Sequence, residues 1–112
     1  MLKVNDLINE LSLTPILLSD GEREITGGYV GDLLSWVMGR ANAGDAWVTI
    51  MSNMNVAAVA QLADVACVVF AEGVTPDQAA VDAASLHDIN LLGSTKGAFE
   101  LCGDIAELLR RE

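Results

Sequence analysis

Val65-Ala66-Cys67-Val68-Val69-Phe70 decides the reading of this chain. The run is short, uncharged and rich in β-branched residues. It has no polar alternation. A strand with one solvated face alternates; a strand buried on both faces does not. Both faces of this segment must therefore be covered. Upstream, Val56, Val59, Ala60 and Ala63 recur at helical spacing. Downstream, Glu72-Gly73 turns the chain. Thr75-Pro76-Asp77-Gln78 then offers a helix start, with Thr75 as cap, Pro76 at the first helical position and Gln78 closing a capping box. Helix, buried strand, helix is the βαβ rhythm that parallel sheets require.

The rhythm extends in both directions. Ala46-Trp47-Val48-Thr49-Ile50-Met51 reads as a second buried strand after the turn Gly44-Asp45. Ile89-Asn90-Leu91-Leu92 reads as a third. Ser94-Thr95 caps a last helix with the stripe Ala98, Leu101, Cys102, Ile105 and Leu108 or Leu109. At the other end, Val4, Leu7, Ile8 and Leu11 mark one helical face, closed by Leu13-Thr14-Pro15. Ile16-Leu17-Leu18 is a short strand candidate and Glu22 to Ile25 a possible edge strand. Thr26 to Gly31 is a glycine-rich loop. Asp32 then opens a helix bearing Leu33, Leu34, Val37 and Met38. The expected fold is three-layer α/β/α, with a mostly parallel sheet of about four to five strands, in a single domain over 1–112.

Composition narrows the function. The chain has 112 residues, with 6 basic and 16 acidic side chains, so its formal charge is 6 − 16 = −10. Nucleic acid and anionic lipid would be repelled. Apolar residues make up 52%, too many for a disordered chain. The start Met1-Leu2-Lys3-Val4-Asn5-Asp6 lacks the apolar core of a signal peptide, and no run reaches the ~20 apolar residues of a membrane span. A cytoplasmic protein is expected. Cys67 and Cys102 stand 35 positions apart with no CxxC pair, which reads as two free buried thiols and no metal site.

No set of residues spells a reaction. GxSxG is absent, and His87 is the only imidazole, late in a helix. Gly93-Ser94-Thr95-Lys96-Gly97 fails the phosphate-loop spacing. The carboxylates fall mostly on polar helix faces. Two segments remain as binding candidates. Thr26-Gly27-Gly28-Tyr29-Val30-Gly31 resembles a dinucleotide fingerprint with Thr in place of the first Gly; its alternative is a tight turn needing positive φ. Ser52-Asn53-Met54-Asn55 follows a strand, where open parallel sheets bind ligands; Ser52, Asn53 and Asn55 suit an anion, an amide or a nucleobase edge, or they simply cap a helix. Glu72-Gly73 would share that rim. Trp36 and Trp47 with Met38, Met51 and Met54 form either core or a partner surface.

Glu24-Ile25-Thr26-Gly27-Gly28 resembles the naming motif of the DRTGG domain family. Tyr29 to Ser35, Gly44 to Ile50 and Ala63 to Val69 resemble the same family, so the likeness covers nearly the whole chain. Glu24 stands where the family has Asp, and Ile25 where it has Arg; an anion contact by that arginine would be missing. The resemblance implies a fold similar to the N-terminal domain of HPr kinase/phosphorylase, to a domain of some phosphotransacetylases and to a module beside CBS domains in regulatory pyrophosphatases. There the module regulates or assembles dimers, while catalysis lies elsewhere. Stand-alone members near redox genes imply a protein partner in a regulatory or redox complex. The expected function is thus a non-catalytic regulatory or interaction module, self-associating as a homodimer. It would have a small-ligand crevice built from Thr26, Gly27, Gly28, Ser52, Asn53, Asn55, Glu72 and Gly73. No cofactor is expected. The alternatives are an adenine-nucleotide sensor and a small enzyme using Ser52 or carboxylates.

Overall fold

The computed structural model describes residues 1–112. Five helices flank a five-stranded sheet, with a two-stranded ribbon alongside. In chain order the elements are β1 (Leu2–Lys3), α1 (Val4–Leu11), β2 (Thr14–Leu17), β3 (Glu24–Ile25), β4 (Gly27–Val30), α2 (Leu34–Arg40), β5 (Asp45–Thr49), α3 (Asn55–Ala63), β6 (Cys67–Phe70), α4 (Gln78–Leu86), β7 (Leu91–Gly93) and α5 (Ala98–Arg110). The sheet order is β2-β7-β6-β5-β4. β4, β5, β6 and β7 are parallel, and β2 joins β7 antiparallel. The expected three-layer α/β/α architecture is the one observed.

The missing polar alternation in the central strands has a direct cause. Cys67 and Val69 face one core with Ala46, Val48 and Leu92, under α1 and α5. Val68 and Phe70 face the other with Trp47 and Leu91, under α2, α3 and α4. The side chains of Trp47, Val68, Val69 and Phe70 are fully buried. Each such side chain contributes about 1.5–3 kcal/mol relative to exposure. From β4 to β7 every crossover steps the same way along the sheet, so α2, α3 and α4 share one face. α1 and α5 cover the other.

Several boundaries differ from the sequence reading. The glycine-rich segment is not a loop: Gly27 to Val30 form β4, paired in register with Asp45 to Val48. Neither Gly27 nor Gly28 has positive φ. Their extended geometry is imposed by β5, a tertiary partner invisible to local pattern. Glu24–Ile25 pairs with Leu2–Lys3, outside the main sheet. Ser12, at φ 53°, reverses the chain after α1, so Pro15 is free to lie within β2. An edge strand tolerates proline, since one row of its N–H groups has no ladder partner. Thr75 and Gln78 make no capping box, for α4 begins at Gln78 with Asp77 before it. Asp32 does not enter α2 either. Its carboxylate accepts from Thr49 Oγ1 (2.8 Å) and Ile50 N–H (2.9 Å), which ties the end of β4 to the end of β5.

One buried polar side chain locks the sheet to the loop before β3. Asn90 Oδ1 accepts from the Ser19 and Asp20 amides, both at 2.8 Å. Its Nδ2 donates to the Asp20 and Ala66 carbonyls at 2.8 and 3.0 Å. All four of its bonding positions are filled. Asn90→Ala orphans four backbone groups at once, and a buried unsatisfied group costs about 1–3 kcal/mol. Partial rehydration of the loop side reduces the sum, so a loss of about 3 kcal/mol is expected in urea denaturation.

Candidate functional site

The proposed binding residues fall at two opposite ends of the sheet. β4 starts at Gly27 and ends at Val30, parallel to β5. Thr26 and Gly27 therefore sit at the amino ends of the strands. Ser52, Asn53, Asn55, Glu72 and Gly73 sit at the carboxyl ends, beyond Thr49 and Phe70. A strand of four residues spans ~13 Å. The structure does not bring the two groups into one crevice. The sequence placed both at loops, and only the strand direction separates them.

At the amino end, Thr26 and Gly27 serve a turn. Gly44 has φ 86°, and any Cβ there would run into Thr26 Oγ1. A Cβ on Gly27 would lie 2.6 Å from Asp45 Oδ1. Thr26 N–H donates to the Gly44 carbonyl at 3.0 Å. Asp45 is buried, and its Oδ2 accepts from the Asn42 amide at 2.8 Å. The threonine–glycine and glycine–aspartate pairs are thus one interlocked unit. Its glycines make room for the Asp45 carboxylate and the Thr26 hydroxyl of the same chain. This is a structural use of the motif, and the helix N-terminus that a dinucleotide fingerprint needs does not follow it directly.

At the carboxyl end the groups are polar and mutually engaged. Asn53 Oδ1 accepts from Asn55 N–H at 2.9 Å, a local turn at the start of α3. The Ser52 carbonyl accepts from Asp77 N–H at 2.8 Å, joining the β5 and β6 loops. Glu72 and Gly73 both have positive φ, 61° and 74°. Their amides donate to the carbonyls of Lys96 and Ser94. The Glu72 carboxylate accepts from Ala98 N–H at 3.1 Å, at the N-terminus of α5. A carboxylate is favoured there by the helix dipole. Glu72 therefore supplies the cap expected of Ser94-Thr95, from 26 positions away. Beside it, Thr14, Gly73, Thr75, Ser94 and Thr95 line an open hollow of about 290 Å³. Sequence reading missed Thr14, Thr75, Ser94 and Thr95 as neighbours because Thr14 comes from β2, across the sheet edge. No cation serves the rim: Lys96 is paired with Asp104 at 2.7 Å, an ion pair that raises the pKa of its ammonium.

No cluster of three or more histidine, cysteine or acidic side chains is placed to hold a metal ion. Burial pushes the Cys67 thiol up to about 12. Burial also raises Cys102, which is only partly covered. No helix is long and apolar enough to cross a membrane.

No family profile matches the sequence, and no curated protein matches it. A solved structure does. It is the CBS and DRTGG domains of the regulatory region of Clostridium perfringens pyrophosphatase, in complex with its activator diadenosine tetraphosphate. The TM-score is 0.70 at 13% identity, over 88% of this chain and 44% of that one. This chain thus spans less than half of the solved regulatory region. The likeness establishes a shared fold, DRTGG-like as the motif residues implied. That neighbour is a regulatory region and not a catalytic one.

Two outcomes follow. Glu72→Ala removes the α5 cap and should cost about 1 kcal/mol, while Glu72→Gln retains most of it; urea denaturation of the three proteins decides. Folding holds the Cys67 thiol protonated above its ordinary value of 9.0. The unfolded chain alone therefore gains from ionisation between pH 9 and 12, and stability falls across that window. Cys67→Ala should flatten this part of the pH–stability profile.

Proposed function

We propose that this chain is a non-catalytic regulatory module that acts by self-association. One observation carries the reading. Leu33 and Trp36, three residues apart at the start of α2, are 59% and 53% exposed, and Val30, at the end of β4 before them, is 53% exposed. Large apolar side chains grouped on a surface mark interaction sites, whereas scattered ones do not. Ile50 and Met54, also exposed, follow the neighbouring strand β5. Arg40 stacks over the Trp36 ring at 3.8 Å, which holds the indole against the surface. No carboxylate belongs to the stretch except Asp32, which is engaged by Thr49 and Ile50. A chain of charge −10 can meet its own copy only where neither side brings net charge. The closed two-fold dimer is the simplest assembly such a face supports. The regulatory role draws support from the pyrophosphatase region that shares the fold.

A second reading has its own support: the neighbour's complex contains an adenine dinucleotide. In this chain the site would be the carboxyl rim, with Ser52, Asn53, Asn55 and Gly73 beside the hydroxyl-lined hollow. The acidic Glu72 and the lack of a free cation oppose a polyphosphate there. A ligand bound at 100 times its Kd stabilises by about 2.7 kcal/mol. A nucleotide panel at millimolar concentration should therefore raise the melting temperature if this reading holds.

Sedimentation over a wide concentration range tests the first reading. The expected result is a dimer that dissociates on dilution and is weakened by Leu33→Asp, with the thermal midpoint little changed. A monomer at all concentrations up to about 1 mM would refute it.

A further inference from the structure

The two edges of the sheet are built differently. β2 closes one edge with Pro15 and with a register shift between Pro15 and Leu17. Proline and irregular register are the usual protections against edge pairing. β4 closes the other with Gly27-Gly28-Tyr29-Val30, which has no proline, no charge and no register shift against β5. Gly28 and Val30 are exposed there. Gly31 N–H donates to the Val48 carbonyl at 3.2 Å. Hydrogen-bonding direction alternates along a strand, so Tyr29 also faces β5. The N–H and C=O groups of Gly28 and Val30 are then left to the open edge.

Gly28 also leaves space on one face. An added Cβ would meet nothing closer than the Ala46 carbonyl oxygen at 3.6 Å, an ordinary contact. Its φ is not positive. Nothing within the chain therefore requires glycine at this position, and glycine weakens a strand. What its missing side chain provides is an apolar groove of about 230 Å³ between β4 and α5, walled by Val30, Ala46, Val48, Ile105 and Leu109.

We propose that two copies of this chain pair β4 against β4, antiparallel, about a two-fold axis at Tyr29. This rests on the self-association proposed above and names its surface. The register follows from spacing. With the axis at Tyr29, Gly28 of each copy lies opposite Val30 of the other. These are the two residues whose backbone groups face outward. They exchange four hydrogen bonds, two at each pair, and no edge group of either residue is left over. Opposed residues of antiparallel strands project to the same face. Val30 of one copy thus enters the groove that Gly28 leaves open in the other, twice over. Charge selects the occupant. An acidic copy can approach only an uncharged strip, and Gly27 to Gly31 is one, whereas a basic partner would find no carboxylate along it. The product is a continuous ten-stranded sheet.

Three variants and the wild type test the pairing by sedimentation and cross-linking. Val30→Pro deletes the outward N–H, and an edge strand tolerates it. Two of the four intermolecular bonds are lost, so the dimer dissociation constant should rise about tenfold or more. Val30→Lys, at an exposed position, should weaken the dimer comparably by bringing an unpaired charge into the groove. Tyr29→Cys, in a Cys102→Ser background, places two thiols across the axis at ~4.5 Å between Cα atoms, within disulfide range, and mild oxidation should yield a covalent dimer. A wild-type dimer that survives both Val30 substitutions and gives no such disulfide overturns β4 pairing while self-association stands. A wild-type monomer at about 1 mM overturns both.

Discussion

Side chains of β5, β6 and β7 point in alternation into two separate cores, and neither face of these strands meets water. That constraint governs the rest. Polar side chains are buried only at the strand ends and only with partners: Asp45 accepts from the Asn42 amide, Thr49 donates to Asp32, and Asn90, just before β7, is satisfied by four backbone groups. Two faces need two helical layers, so a chain of this length must divide five helices between them. Once the layers close, the exposed backbone is confined to the strand ends and the two sheet edges. These are the only places where the domain can present its own main chain to a partner.

The ends and the edges differ in how far they are already engaged. The amino end is occupied by the interlocked Thr26-Gly27 and Gly44-Asp45 turns. The carboxyl end is cross-braced: Asp32 holds β5, the Ser52 carbonyl holds α4, and Glu72 holds α5. Such bracing engages several donors and acceptors of the rim, while the Thr14, Thr75 and Thr95 hydroxyls still line the open hollow beside it. The β4 edge has no such engagement. It adjoins the exposed Leu33 and Trp36, so main-chain hydrogen bonds and apolar area lie together. That combination suits protein association better than recognition of a small polar molecule.

Charge sets the boundary of this surface. In the proposed pairing, ten excess negative charges would repel copies over most of their area and favour contact at an uncharged margin. Four of the six cations form ion pairs, Lys3 with Glu22, Arg23 with Asp64, Lys96 with Asp104 and Arg111 with Glu107, and Arg40 stacks on Trp36. Exposed pairs of this kind add little stability. Of these pairs only Lys96–Asp104 adjoins the carboxyl-end rim; it leaves Glu72 there without a neighbouring free cation.

The buried run from Val65 to Phe70, the helical stripes and the turn at Glu72-Gly73 were enough to determine an α/β/α sandwich with a mostly parallel sheet, because hydrophobic period depends only on which faces are covered. The motif at Glu24 to Gly28 pointed to the family fold. Local pattern could not determine which strand ends coincide. Thr26-Gly27-Gly28 read as a loop because glycine favours turns, yet β5 holds it extended, and strand direction sets it ~13 Å from the Ser52 rim. Caps were misassigned for the same reason: Glu72 reaches α5 across 26 positions, and no local window contains both. Periodicity is a property of neighbours in sequence, whereas a site is a property of neighbours in space. Only the folded chain revealed that one sheet edge is blunted by Pro15 and the other, at Gly28 and Val30, is open.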